Sequence, residues 1–122
     1  EFVNKLCSSF GKVMPLSESY FPLFCSIAGC APAYAYMFID SLARSAVKNG
    51  MNKSVALEIA AQTVLGSAKK ILESDEHPWE LIDKVCSPGG TTIEGIVSLQ
   101  KDGFESAVCN AVDAALQKDK KV

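Results

Sequence analysis

The sequence predicts an all-α fold, and three observations predict it. Apolar residues recur at helical spacing in most segments, capping and stopping residues separate those segments, and only five residues read as a strand. Phe2, Val3, Leu6 and Phe10 make residues 1–10 a short helix that Gly11 ends. Residues 12–16 (KVMPL) are the exception, a strand that Pro15 confines to an edge or an end. A lone strand in a helical chain makes sense as the last strand of a sheet whose other strands lie upstream of Glu1.

Ser17, with Glu18 behind it, caps a helix running to residue 28, and Gly29-Cys30-Ala31-Pro32 is expected to break or kink it. A longer helix follows over residues 32–49. Its charged and hydroxyl side chains (Asp40, Ser41, Arg44, Ser45, Lys48) share one narrow stripe, the rest is apolar, and Gly50 is the stop. Asn52 or Ser54 caps a third helix reaching Glu73, with Leu57, Ala60, Ala61, Val64, Leu65, Ala68, Ile71 and Leu72 on its periodic face. Gly66 in its middle costs about 1 kcal/mol relative to Ala, which asks for a packing reason. Pro78 starts a short helix to Val85. After a glycine turn, a helix over residues 92–102 is closed by Gly103, and a last helix covers residues 104–120.

That turn, Cys86-Ser87-Pro88-Gly89-Gly90-Thr91-Thr92-Ile93-Glu94, is the one constellation that suggests ligand chemistry. Pro88 fixes one backbone angle and the paired glycines accept angles that side chains forbid. Thr91 with Glu94 three residues later matches a capping box, so Thr91 is the expected cap and Thr92 the first helical residue. Such a turn aims N–H groups at one point beside the positive end of a helix dipole, a receptor for a carboxylate or phosphate that needs no Lys or Arg. An ordinary capped helix start uses the same residues, and the motif alone leaves both readings open.

At 122 residues and 48% hydrophobic, the chain is one domain with enough length to bury a core. Its net charge of −2, with Lys118, Lys120 and Lys121 the only lysine cluster, argues against nucleic acid. The five cysteines (Cys7, Cys25, Cys30, Cys86, Cys109) are never spaced C-x-x-C. With the single His77 they make no zinc site and read as free thiols in a reducing cytoplasm. Cys86, beside the turn, reads as a buried, inert thiol and His77 as an exposed ring. Asp75 and Glu76 read as companions of the next helix dipole. No dinucleotide fingerprint, Walker loop or nucleophile elbow occurs.

Residues 21–39 carry no charge and are long enough to span a membrane. Pro22, Pro32, Gly29 and the absence of concentrated positive charge at the flanks point instead to helices buried in protein. The apolar faces exceed what one such bundle covers, so burial against a second chain is expected.

Ala33-Tyr34 after Pro32, the block Ala60-Ala61-Gln62-Thr63-Val64-Leu65-Gly66-Ser67-Ala68-Lys69, then His77-Pro78, Ser87-Pro88-Gly89-Gly90-Thr91-Thr92 and Gly103-Phe104 complete the pattern. In order and separation it resembles the C-terminal, dimer-forming domain of the pyrroline-5-carboxylate reductase family, over residues 17–120. Cys30 stands where that family usually has serine, and Asn52 replaces its usual proline.

The resemblance implies a helical bundle of the 6-phosphogluconate-dehydrogenase C-terminal-like type, an interlocked homodimer with a higher oligomer of dimers left open. It implies reduction of 1-pyrroline-5-carboxylate to L-proline with NADH or NADPH, in the cytoplasm, without a metal or a membrane. The nucleotide would sit on an N-terminal Rossmann domain. Residues 1–16 would be the remnant of that domain's end and residues 17–122 the dimerisation and substrate-binding domain, a fragment inactive by itself. Ser87, Pro88, Gly89, Gly90, Thr91 and Thr92 would bind substrate. The carboxylate would fall to Ser87 and the amides of Gly89, Gly90 and Thr91, and the ring nitrogen to the catalytic Thr92 hydroxyl. Two other readings remain: the helical domain of another Rossmann-linked dehydrogenase, such as a β-hydroxyacid type, and a purely helical oligomerisation module that binds no small anion.

Overall fold

Five helices follow one another in the computed structural model, which describes residues 2–3 and 12–120. The helix expected over residues 1–10 lies, but for residues 2–3, outside the described residues. Residues 12–17 form neither helix nor strand. The edge strand expected at residues 12–16 is therefore not made, for no strand exists among the described residues to pair with its amides.

Helix α1 is one run, Glu18–Lys48. The break expected at Gly29–Pro32 is replaced by a change of helical type. A 3₁₀ turn (Glu18–Tyr20) and an α turn (Phe21–Phe24) lead into a π-helical turn (Cys25–Cys30), and α geometry resumes over Ala31–Lys48. Proline has no N–H to donate, and its ring crowds the carbonyl four residues back. Widening the turn answers this: the Ala31 N–H reaches the Ser26 carbonyl, five residues away, and the helix continues.

α1 ends in a Schellman motif. The Gly50 N–H donates to the Val47 carbonyl and the Met51 N–H to the Ala46 carbonyl, both at 2.9 Å, with Gly50 at φ +104°. Of the two candidate caps for α2 (Lys53–Glu73), Asn52 takes the role, its side chain accepting the Ser54 N–H at 2.9 Å. The resulting hairpin buries Ala43 against Ala56 and Ala60, with Ile39 and Ala46 alongside. Asp40 ties it across, pairing with Arg44 on its own helix and with Lys53 at 2.7 Å on α2. Helix α3 (Pro78–Val85) and helix α4 (Thr91–Lys101) follow, and Gly103 at φ +79° turns the chain into α5 (Phe104–Lys120). α5 returns to α1, where Phe104 meets Phe38 at 6.0 Å between ring centroids.

The core is small: Ala43, Ala56 and Ala60 are the buried hydrophobic residues. The chain exposes 10003 Å², against about 6,300 Å² for a compact monomer of 13.0 kDa. The excess of about 3,700 Å² includes apolar surface that one copy of the chain leaves uncovered. Tyr36, Met37, Ile59, Leu65 and Leu72 all stand exposed on α1 and α2. The uncharged run expected to be buried is thus not buried within one chain. α1 is long and apolar enough to cross a membrane by length and composition. Gly66 is likewise open: apart from its own helix backbone, no described atom comes within 4 Å of where a side chain would begin.

Candidate functional site

The turn between α3 and α4 is built by Pro88 and Gly89. The Gly90 N–H donates to the Ser87 carbonyl at 3.0 Å, and Gly89 lies at φ +70°, the pattern of a type II turn with proline second and glycine third. Gly90 then leaves the turn extended, at φ −83° and ψ 176°, and is itself the residue that opens α4. This corrects the expected capping box. The helix begins at Thr91, one residue earlier than predicted, and no side chain caps it. The turn delivers the extended conformation that a cap requires to Gly90 rather than to Thr91, and Gly90 has no side chain to donate or accept with.

Two consequences follow for the amides. The Gly90 N–H is engaged inside the turn, so it is not among the donors free for an anion. At the start of α4, the N–H groups of Thr91, Thr92 and Ile93 lie beyond the reach of any intrahelical carbonyl, and no cap satisfies them. By contrast, α2 is capped by Asn52 and α3 by His77, whose Nδ1 accepts the Trp79 N–H at 3.1 Å. The positive end of α4 is left open to an acceptor from outside the chain.

Ser87, Pro88, Gly89, Thr91 and Thr92 are all exposed and Gly90 is half-buried, so the six predicted residues form one accessible surface at the head of α4. The Ser87 Oγ and carbonyl oxygen lie 2.5 Å and 3.2 Å from where a Cβ of residue 90 would stand, so a side chain there would be crowded. Cys86 is half-buried, and Cys25, Cys30 and Cys109 are free and exposed, while Cys7 lies outside the described residues. His77 is exposed as expected; its capping of α3 was readable from Pro78 at the first helical position, which puts residue 77 at the cap. The N–H groups of Thr92 and Ile93 are the free amides that the sequence reading missed, because the helix start was placed one residue late.

A separate groove of about 500 Å³ runs between α2 and α3, walled by Gln62, Gly66, Lys70, Pro78, Leu81 and Val85 among others. None of the turn residues lines it. It is largely apolar and has the character of a packing surface rather than of a site for chemistry.

Residues 18–122 match the family model described as "Pyrroline-5-carboxylate reductase dimerisation". The chain is 43% identical over 113 residues to the pyrroline-5-carboxylate reductase of Escherichia coli (strain K12), covering 93% of this chain and 42% of that protein. It is 44% identical over 120 residues to the pyrroline-5-carboxylate reductase of Aquifex aeolicus, covering 98% and 45%. Among solved structures, the 1-pyrroline-5-carboxylate reductase of Streptococcus pyogenes superposes with a TM-score of 0.93 at 45% identity, covering 98% of this chain and 46% of that one. The pyrroline carboxylate reductase of Plasmodium falciparum, solved with NADP bound, gives 0.90 at 38% identity, covering 98% and 46%. The chain spans less than half the length of each of these relatives.

Proposed function

Because the chain belongs to the pyrroline-5-carboxylate reductase dimerisation family, we propose that it is the dimerising and substrate-binding part of a reductase that converts 1-pyrroline-5-carboxylate to L-proline. The observation that carries this reading is the uncapped head of α4, held beside a type II turn. It supplies convergent N–H donors and dipole, without a competing cation, for the substrate carboxylate. The amides of Thr91, Thr92 and Ile93, with the Ser87 hydroxyl, are the donors, and Gly89 and Gly90 give the backbone its close approach. The Gly90 amide, spent on the turn, is not one of them.

Clamping the carboxylate fixes the cyclic imine in one orientation, and Thr92 presents its hydroxyl to the ring nitrogen. A neutral hydroxyl donates to an imine nitrogen or accepts from its protonated form, so it does not repel positive charge there. The described residues contain no strand, and so no strand-to-helix crevice of the kind that grips a dinucleotide. In this reading the dinucleotide, seen as NADP in one solved relative, is NADH or NADPH held by an N-terminal Rossmann domain, with residues 1–16 assigned to the end of that domain.

The exposed apolar surface of α1 and α2 is covered by a second copy rather than by lipid, giving an interlocked homodimer in the cytoplasm. Dimers associating further remain compatible with this surface. Calorimetric titration of the dimer with L-proline, and separately with pyrrolidine, tests the carboxylate clamp. Proline is expected to bind and pyrrolidine, which lacks the carboxylate, is not. Equal binding of the two would remove the carboxylate clamp, and binding of neither would leave only a helical oligomerisation module.

A further inference from the structure

Helix α3 feeds directly into the turn, yet none of its residues is buried, and a groove separates it from α2. A set of polar ties braces it, beside the half-buried Leu81 and Ile82. The Glu76 N–H donates to Ser74 Oγ at 3.0 Å, His77 caps the first turn, and the Lys84 ammonium donates to Glu76 Oε1. The last of these reaches across eight residues, from the segment before α3 to its final turn. Lys84 stands three residues before Ser87.

Glu76 also differs from the other paired carboxylates. At 34% its side chain is the least exposed of them, and its Oε2 is shielded from water with no partner among the described residues. Asp40 with Arg44, and Lys69 with Glu73, join neighbouring turns of a single helix. The Glu76–Lys84 pair instead braces a short helix end to end. Resting on the reading of the turn as a carboxylate receptor, we propose that Glu76 is a positioning residue. Acting through Lys84, it sets the angle at which α3 presents Ser87 and the head of α4 to the substrate carboxylate.

The carboxylate is held alike before and during reduction, so loosening its receptor weakens binding without slowing the chemical step. In the full-length enzyme, Glu76→Gln is expected to raise KM for 1-pyrroline-5-carboxylate about two- to fivefold, the range of a partly exposed ion pair. The values of kcat and of KM for the dinucleotide stay unchanged. Lys84→Met should give the same rise, the double variant no more than either alone, and Lys84→Arg the parental KM. A role in overall stability would lower the melting temperature without this split or this rescue. Parental KM in Glu76→Gln, or additive effects in the double variant, overturns the proposal while leaving the function intact. A parent enzyme that does not reduce the cyclic imine overturns both.

Discussion

Gly90→Ala is the substitution for which the structure gives the sharpest expectation. The backbone angles of Gly90, φ −83° and ψ 176°, suit any residue, so its glycine answers a need for space and not for conformation. An added Cβ would stand 2.5 Å from Ser87 Oγ and 3.2 Å from the Ser87 carbonyl oxygen. The hydroxyl can rotate away. The carbonyl cannot move freely, because it accepts the Gly90 N–H at 3.0 Å and closes the turn. Overpacking of this kind costs about 1–3 kcal/mol, and proline affinity should fall about two- to tenfold if half of that strain is felt by the donors.

Gly89→Ala provides the contrast. Gly89 has open space around it but lies at φ +70°, where a side chain costs about 1–2 kcal/mol through the backbone itself. Adding Ser87→Ala removes the hydroxyl contact. It should therefore recover part of the stability lost in Gly90→Ala and none of that lost in Gly89→Ala. Urea melts at fixed protein concentration measure all five proteins. If Ser87→Ala relieves both glycine variants equally, or neither, the steric account of Gly90 is wrong.

Four other outcomes are expected. Thr92→Ala in the full-length enzyme should lose about ten- to a hundredfold in kcat/KM, as a charge-assisted hydrogen bond implies. Thr91→Ala should barely change stability, since Gly90 and not Thr91 occupies the cap; a loss near the roughly 1 kcal/mol of a capping threonine would contradict that geometry. Asp40 is held below its usual 3.8 by hydrogen bonds from Lys53 and then Arg44. A lowered folded-state value means stability present above the unfolded value and lost as pH falls through the folded one, so acid melts of the parent should steepen there and those of Asp40→Asn should not. At Gly66→Ala the added Cβ has nothing within 4 Å beyond its own helix backbone, so the change should leave the helix intact and weaken the dimer in sedimentation; an unchanged dimer constant would remove the partner as the reason for this glycine.

Much of the helical layout was legible because its punctuation is local. Asn52, the His77-Pro78 pair, Gly50 and Gly103 each act within a few residues of themselves, and each sits where the sequence places it. Two features escaped for a shared reason: a local pattern was overruled by its neighbours' geometry. Thr91 and Glu94 satisfy the spacing of a capping box, but the turn before them had already placed Gly90 in the capping conformation. Pro32 carries a helix-breaking signal, but the residues before it rewind into a wider turn and the helix passes through. The six turn residues could be named from Pro88 and the two glycines; which of their amides are free could not, because that depends on a hydrogen bond closed within the turn.

The π turn in α1 has a bearing on how this chain tolerates insertions and deletions. Each residue of an α-helix advances the direction of its side chains by about 100°. A one-residue deletion within Ala31–Lys48 would therefore swing the whole segment ahead of it about the helix axis, carrying Tyr20, Phe21 and Phe24 round by more than a quarter circle. Between Cys25 and Cys30 the outcome differs, because the wide turn closes over five residues where an α turn closes over four. Losing one residue there lets the turn close in α geometry with the phase of its flanks nearly kept, the cost falling on Pro32, whose ring would again crowd the carbonyl four residues back. The wide turn is the one stretch of α1 where a residue of length can be given up without re-aiming the helix.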